Sequence, residues 1–153
     1  MARDAIWTDG SRSDSGRVGA ACAWRTQDGW AGRRFYLGNN KEVSDAELFA
    51  ICLALRVFRA RQESGRNNTV FSDSQSAIRR ALPDVLGPGQ QWARAIIEVA
   101  SEIVARDNEI ALFWVPAHSG VAGKEVADNL TKEAAEGPPL RVRGGFGRGP
   151  LAD

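Results

Sequence analysis

Cysteine, histidine and lysine are scarce in this chain of 153 residues. The two cysteines, Cys22 and Cys52, are too few and too far apart in sequence for a disulfide framework or a zinc site. Both lie in apolar segments, which predicts buried thiols in a reducing compartment. We therefore expect an intracellular protein, either cytoplasmic or nuclear.

Long apolar runs and a secretory signal are also absent from the sequence, so we expect no membrane partner. A strong net charge is lacking as well: the formal net charge is +1. This value argues against a general attraction to polyanions. The cations are 17 arginines and three lysines, however, and the planar guanidinium group fits phosphate oxygens. Local basic patches and a GC-rich genome are both consistent with this bias.

The length and an ordinary composition, 43% hydrophobic and 25% charged, indicate one globular domain. Hydrophobic periodicity predicts the element order β-β-β-α-β-α-α-β-α. The predicted strands span residues 5–9, 17–25, 30–37, 69–72 and 110–115, and the predicted helices span residues 44–64, 74–82, 90–106 and 124–136. The Pro- and Gly-rich segment 83–89 separates two helices. Segment 137–153, rich in Gly, Pro and Arg, is predicted to be a disordered tail or linker, so the domain covers residues 1–136.

The order of the elements predicts how the strands pair. The first three strands form an antiparallel meander, and right-handed crossovers place the fourth and fifth strands parallel to the first. The predicted fold class is therefore α/β, with a five-stranded mixed sheet of order 3-2-1-4-5 flanked by helices. The chain leaves the first and fourth strands in opposite directions, so a crevice opens at their carboxyl ends. The fifth strand is apolar on both faces, which is typical of a parallel strand covered by helices.

Carboxylates follow both strands that border this crevice. Residues 6–11 (IWTDGS) predict a short strand that ends in a turn with Asp9 at its tip, and Asp73 follows the fourth strand. Glu47 lies near the start of the first helix, close to its apolar stripe. Taken alone, Asp9 could be a turn residue and Asp73 an N-cap. Glu47 alone could complete a capping box with Ser44.

Taken together, the three acids predict a metal site. Clustered carboxylates repel one another unless cations lie between them, and oxygen-only ligands suit Mg²⁺ or Mn²⁺ better than zinc. A cluster that holds two such ions about 3.5–4 Å apart is typical of in-line phosphoryl displacement. Asp128, in the last predicted helix, can join this cluster. The only histidine, His118, lies in a loop after the fifth strand and is suited to proton transfer.

These residues resemble the signature blocks of type 1 ribonuclease H. The matching blocks, which agree in order and spacing, are Thr8-Asp9-Gly10-Ser11, Ala46-Glu47-Leu48, Ser72-Asp73-Ser74-Gln75 and the run from His118 to Asp128. The resemblance implies hydrolysis of the RNA strand of RNA–DNA hybrids with two Mg²⁺ ions, for which Mn²⁺ can substitute. It also implies products that carry 5′-phosphate and 3′-hydroxyl ends.

The resemblance implies a role for each matching residue. The metal ligands would be Asp9, Glu47, Asp73 and Asp128, and His118 would assist proton transfer or product release. The residues expected to contact the hybrid are Gly10, Ser11, Ser74, Gln75 and Lys124. Recognition would depend on A-form shape and on contacts to 2′-hydroxyl groups, with little base readout.

Three departures from the family's pattern bear on the context of the domain. Lys124 stands where many members have Asn, so a positive charge lies near the metal site. Residues 41–44 (KEVS) replace an Asn-rich segment, and segment 83–89 replaces a basic protrusion that contains Trp. This shortened form, with residues 114–120 (WVPAHSG), looks like the domains attached to reverse transcriptases of retroelements. We therefore expect a monomer with a covalently linked reverse transcriptase domain. The arginines expected to support hybrid binding are Arg12, Arg17, Arg79 and Arg80.

Two hypotheses for function follow from the sequence. The first is an active endoribonuclease specific for RNA–DNA hybrids, and it is favoured because all four acids are present. The second is a catalytically impaired hybrid-binding or structural domain of a polyprotein, whose activity is lost through the changes around Val43 and Lys124.

Overall fold

The structure of the protein is a computed structural model that describes residues 2–81, 90–117 and 120–136. Its elements, in chain order, are β1 (Ala2–Arg12), β2 (Arg17–Thr26), β3 (Gly29–Asn39), α1 (Val43–Arg61), β4 (Arg66–Ser72), α2 (Gln75–Arg80), α3 (Gln90–Val104), β5 (Glu109–Trp114) and α4 (Ala122–Ala135). This is the predicted order. The predicted break at 83–89, His118 and the predicted tail at 137–153 lie outside the described residues, so the domain boundary at 136 stays a prediction.

The five strands form one mixed sheet in the order β3-β2-β1-β4-β5. Strands β1, β2 and β3 pair in antiparallel fashion, whereas β1–β4 and β4–β5 pair in parallel. The predicted fold class and strand order are therefore confirmed. Because the parallel strands are joined by helical crossovers, the switch point between β1 and β4 lies where the sequence placed it.

The side chains of strand β2 alternate between two hydrophobic cores, one on each face of the sheet. Val18, Ala20 and Cys22 belong to the larger core, which also contains the buried faces of α1 and α3. Ala21 and Ala23 point to the other face of the sheet and pack against α4. Alternate side chains of a strand point to opposite faces, so this ten-residue strand supports helices on both sides. Both cysteines are buried thiols, as predicted.

Small residues let α4 approach the sheet closely. A Cβ atom added to Gly19 would lie 2.6 Å from the carbonyl oxygen of Thr131, and the Thr131 hydroxyl donates a hydrogen bond of 2.8 Å to the Gly19 carbonyl. At the start of α4, Gly123 lies against the ring of Trp7. The helix that carries Asp128 is therefore held against β1 and β2 by close backbone packing.

The first strand is longer than predicted. We expected a strand that ends at Asp9, but β1 continues to Arg12 because its antiparallel pairing with β2 runs on to Arg12 and Val18. Asp9 is opposite Ala21 in this pairing, so the prediction that Asp9 lies in a turn is wrong. Pairing with β4 on the other side is parallel and stops at Trp7 and Phe71. The edge of β1 that faces β4 is consequently free at Asp9.

The prediction that both faces of the fifth strand are covered is also wrong. Strand β5 lies at the edge of the sheet, and Phe113 and Trp114 are 53% and 48% exposed. Apolar composition cannot distinguish an edge strand from a covered one when the edge is lined with aromatic residues. In the larger core, by contrast, Val70 of β4 and Ile6 of β1 are 1% and 0% exposed.

Helix α1 begins earlier than the predicted capping box requires. It starts at Val43, its N-cap is Glu42, and no side-chain hydrogen bond caps it. The N–H groups of Asp45 and Ala46 bond to the Glu42 carbonyl oxygen at 3.1 and 3.2 Å, so the helix is already formed at Ser44. The capping box of Ser44 and Glu47 is therefore not present, and the Glu47 carboxylate is available for another role.

Candidate metal centre

Asp9 and Asp73 are brought together by the switch point. Asp9 is in β1, just beyond the last residue that pairs with β4, and Asp73 directly follows the end of β4 at Ser72. The Thr8 hydroxyl donates a 2.8 Å hydrogen bond to the Phe71 carbonyl oxygen, which ties the two strand ends together. Two carboxylates on adjacent parallel strands thus open into the same crevice, as the topology predicts.

Glu47 is supplied to this crevice by α1. The backbone of its helix lies directly over Gly10, which follows Asp9 in β1. The Ser74 side chain favours the ionised form of Glu47 and so opposes the rise in its pKa, and the Ser74 hydroxyl accepts a hydrogen bond of 3.1 Å from the Ala77 N–H as the N-cap of α2. Ser74 is therefore the N-cap of α2, and Asp73 is not the N-cap that it could have been.

Asp9, Glu47 and Asp73 form a group that could hold a metal ion. One carboxylate oxygen of each residue lies within 4.8 Å of the others. Asp9 is buried at 6% exposure, and Oδ1 of Asp73 is a buried oxygen with no hydrogen-bond partner. An unpartnered anionic oxygen in an all-oxygen donor set suits a hard divalent cation. The residues present therefore fit the metal that the site chemistry implies.

Asp128 joins the same cleft from α4. This cleft is lined by Asp9, Gly10, Glu47, Asp73, Val121, Lys124, Glu125 and Asp128. The carboxyl groups of Asp128 and Asp9 line the same cleft and influence each other's pKa, and Oδ2 of Asp128 accepts a hydrogen bond from Nζ of Lys132 at 2.8 Å. The four predicted acids therefore converge, with Asp9 between the Glu47–Asp73 side and the Asp128 side.

Lys124 lies at the centre of the acidic cluster. Its Nζ is 2.7 Å from Oδ1 of Asp9, 3.1 Å from Oδ2 of Asp73 and 3.2 Å from the Thr8 carbonyl oxygen. The Lys124 side chain is only 4% exposed. The predicted phosphate contact of Lys124 stays a prediction, because here its ammonium group is directed at protein oxygens.

The electrostatics of the cluster follow from burial and charge. Burial raises the pKa of Asp9 to about 7; the ammonium group of Lys124 opposes this shift, and Asp73 and Asp128 add to it. Burial also raises the pKa of Glu47, with a further contribution from Asp73. Independently of these shifts, the three carboxylates of Asp9, Glu47 and Asp73 face the single ammonium group of Lys124, and a divalent cation would relieve the repulsion that remains among them.

Asp128 differs from the other acids in its environment. Burial raises its pKa, but hydrogen bonds with Lys132 and Asp9 and the charges of Lys132 and Lys124 outweigh burial, so its pKa is lowered. The hydrogen bond that Lys132 donates to Asp128 in turn raises the pKa of Lys132, which is itself exposed. The surroundings of Asp128 therefore favour its ionised form more strongly than the surroundings of Asp9 do.

The predicted substrate residues lie around the cleft in different settings. Gly10 lines it, Ser74 is engaged as the α2 N-cap, and Ser11 is half-buried in β1 opposite Gly19. Gln75 is exposed at the start of α2, where its Oε1 accepts from Arg79 at 3.4 Å. His118 is outside the described residues, so its role stays a prediction.

Two residues that line the cleft were not predicted. Glu125 and Val121 border it at the start of α4. The spacing between Glu125 and Asp128 is the signal that could have identified the first, because residues three apart share a helix face. Val121 precedes the helix and carries no comparable signal.

The fold and the acidic cluster together indicate a class of protein. A five-stranded mixed sheet with helices on both faces and an acidic cluster at its switch point places the chain among α/β proteins whose clustered carboxylates could hold a metal ion. Comparison with known proteins then gives the family: the RNase H family model matches residues 2–136. The chain belongs to the RNase H family and is a ribonuclease H hydrolase, which confirms the resemblance to ribonuclease H.

Two solved structures share this fold. The chain is similar to RNase H1 from the halophilic archaeon Halobacterium salinarum NRC-1, with a TM-score of 0.64, 20% identity, and coverage of 88% of this chain and 98% of that one. It is also similar to the N-terminal RNase H domain of Rv2228c from Mycobacterium tuberculosis, studied as a fusion with maltose-binding protein. That comparison has a TM-score of 0.66, 18% identity, and coverage of 89% and 98%.

Among the described residues, no helix is long and apolar enough to span a membrane.

Proposed function

We propose that this chain hydrolyses the RNA strand of RNA–DNA hybrids and leaves 5′-phosphate and 3′-hydroxyl ends. The observation that carries this proposal is the convergence of Asp9, Glu47 and Asp73 within 4.8 Å at the switch point of an RNase H-family chain. The four acids would hold two Mg²⁺ ions, with Mn²⁺ as a substitute. Bound there, such ions activate a water and stabilise the charge that develops on the leaving oxygen.

The protein's own residues have distinct tasks in this proposal. Asp9 lies between the two sides of the cluster and is the natural shared ligand, because Glu47 and Asp73 are on one side and Asp128 on the other. Ser74, whose side chain favours the ionised form of Glu47, would support this carboxylate as a partner behind a metal ligand does. His118 would assist proton transfer or product release from the loop after β5.

Hybrid binding would use the rim of the cleft. Gly10, Ser11 and Gln75 are placed beside the acids, and Arg79 is exposed on α2 one turn after Gln75. Such contacts would read A-form shape and 2′-hydroxyl groups. Arg80 is less suited to this role, because its guanidinium group bonds Asp45 at 2.9 Å.

We also propose a biological context on sequence grounds. The short connection at 83–89 and the segment 114–120 resemble domains attached to retrotransposon reverse transcriptases. The chain would then act as a monomeric domain linked to a reverse transcriptase, in the cytoplasm or nucleus. A second candidate function is a catalytically impaired hybrid-binding domain, which the ion pair between Lys124 and two of the acids favours.

The experiment that tests the proposed function is a cleavage assay with strand-labelled nucleic acids. An RNA–DNA hybrid, double-stranded RNA and single-stranded RNA are incubated side by side with Mg²⁺ and wild-type protein or Asp73→Asn. We expect metal-dependent cleavage of the hybrid RNA strand only, with loss of cleavage in the variant. Absence of cleavage, or equal cleavage by Asp73→Asn, contradicts the proposal. Tight hybrid binding without cleavage supports the impaired domain instead.

A further inference from the structure

Lys124 is an unusual neighbour for a metal centre, because its ammonium group forms ion pairs with two of the carboxylates that would bind the metal. The three oxygens around Nζ come from Asp9, Asp73 and the Thr8 carbonyl, at 2.7, 3.1 and 3.2 Å. An ammonium group has three N–H donors, so these three acceptors satisfy it completely. In the described part of the chain, Lys124 is thus both buried and fully paired with the cluster.

The backbone of α4 fixes the starting point of this side chain. Gly123, the residue before it, lies against the Trp7 ring so closely that an added Cβ would be 2.2 Å from a ring carbon. The helix start cannot move toward β1, and Lys124 therefore projects into the cleft from a set position. Its four-carbon stem is flexible, however, so the ammonium group can leave while the backbone stays in place.

We propose that Lys124 is a tethered counter-ion that competes with the divalent cation for Asp9 and Asp73, so that ion binding requires displacement of its ammonium group. This inference rests on the proposed function only in taking Asp9 and Asp73 as metal ligands. In the metal-free protein, the ammonium group offsets part of the repulsion among the buried carboxylates. When the ion binds, the ion takes over this charge compensation.

Competition follows from the geometry because the two cations are attracted to the same two carboxylates, those of Asp9 and Asp73. Nζ contacts one oxygen of each aspartate, and the only Asp73 oxygen left is the unpartnered Oδ1. A divalent ion bound to Asp9 and Asp73 would lie within a few ångströms of the ammonium group, in a cleft where screening by water is weak. Like charges so close together are strongly unfavourable, so displacement relieves the conflict.

Binding of Mn²⁺ to the free protein tests the proposal without any turnover. Mn²⁺ is titrated into wild type, Lys124→Met and Lys41→Met, and electron paramagnetic resonance measures the Mn²⁺ that remains free. Met keeps the length of the stem and removes the charge. Lys41 is exposed and does not line the cleft, so its variant is the matched control for net charge. We expect Lys124→Met to bind Mn²⁺ roughly tenfold more tightly or better, and Lys41→Met to match wild type.

Equal or weaker Mn²⁺ binding by a folded Lys124→Met protein overturns the proposal. If this variant does not fold, Lys124→Asn removes the charge and keeps a hydrogen-bond donor, and the same comparison applies. Tighter binding with no hybrid cleavage by wild type would retain the inference while rejecting the proposed function. Hybrid cleavage by wild type, together with an unchanged Mn²⁺ affinity in Lys124→Met, would support the proposed function and reject the inference about Lys124.

A measurement on the wild-type chain makes the displacement itself visible. Reductive methylation followed by mass spectrometry reports the accessibility of the three lysines, of which Lys41 and Lys132 are exposed. We expect Lys124 to be labelled far more slowly than these two in metal-free protein, and to become reactive when Mn²⁺ saturates the site. Unchanged protection of Lys124 at saturating Mn²⁺ shows that the ion binds beside the ammonium group and overturns the proposal.

Discussion

Gly10 and Glu47 are in direct backbone contact: a Cβ atom added to Gly10 would lie 2.8 Å from the Glu47 nitrogen. This contact between β1 and α1 sets how far the Glu47 carboxylate is from Asp9. Gly10→Ala should push the helix away, destabilise the fold by about 1–3 kcal/mol through overpacking, and weaken Mn²⁺ binding. Urea unfolding and Mn²⁺ titration measure the two effects.

The control for this variant is Gly38→Ala. Gly38 has a φ of +105° and no atom within 4 Å of an added Cβ, so alanine there strains the backbone without moving the site. It should lower stability and leave the Mn²⁺ affinity at the wild-type value. If both variants bind Mn²⁺ equally, close packing at Gly10 does not position Glu47.

Asn108 provides a second prediction, for stability. Its Oδ1 accepts from the Arg66 N–H at 2.9 Å, and its Nδ2 donates to the Glu63 and Ile103 carbonyl oxygens at 2.8 and 2.9 Å. This buried amide joins the end of α3 to the start of β4. Asn108→Ala leaves these backbone groups unpaired and should cost about 2–4 kcal/mol in the free energy of unfolding. Asn129→Ala, on the exposed side of α4, is the control and should have little effect.

A third prediction concerns the pH dependence of stability. A bidentate hydrogen bond from Arg66, at 2.8 Å to each oxygen, holds the pKa of Asp4 below its usual value. Because the folded pKa is lower than the unfolded one, near 3.9, the pair stabilises the fold above that pH. This contribution is lost as the pH falls through the folded pKa.

Asp4→Asn should therefore lower the free energy of unfolding at about pH 7, and its difference from wild type should shrink as the pH falls through the folded pKa of Asp4. Urea unfolding at a series of pH values measures this convergence. Asp28→Asn, in the exposed turn between β2 and β3, should follow wild type throughout. A difference for Asp4→Asn that is constant with pH would show that the Arg66 pair is not its cause.

The strand order and the meeting of Asp9, Glu47 and Asp73 could be predicted from sequence for a physical reason. The alternation in residues 17–25 and the helical spacing after Glu47 define which faces are buried, and chain connectivity then leaves few ways to assemble the sheet. Acids at the carboxyl ends of neighbouring parallel strands must come close in such a sheet. The family resemblance added the roles of these residues.

Other features of the fold and the site depend on contacts with residues distant in the sequence, which a short sequence pattern does not reveal. The end of β1 is set by pairing of Arg12 with Val18 in β2, whereas Thr-Asp-Gly-Ser alone reads as a turn. The exposure of Phe113 follows from the edge position of β5. The burial of Lys124 against Asp9 depends on how α4 docks on the sheet, which no spacing within α4 encodes.

Asp9 is the residue on which the account of catalysis depends most. The most direct measurement is cleavage of an RNA–DNA hybrid, labelled in its RNA strand, by wild type, Asp9→Asn and the control Asp14→Asn, which changes an exposed acid in the β1–β2 turn. We predict metal-dependent cleavage by wild type and by Asp14→Asn, and a loss of roughly 10³-fold or more in a folded Asp9→Asn protein. Cleavage by Asp9→Asn at the wild-type rate, with its fold verified by circular dichroism, would contradict the account.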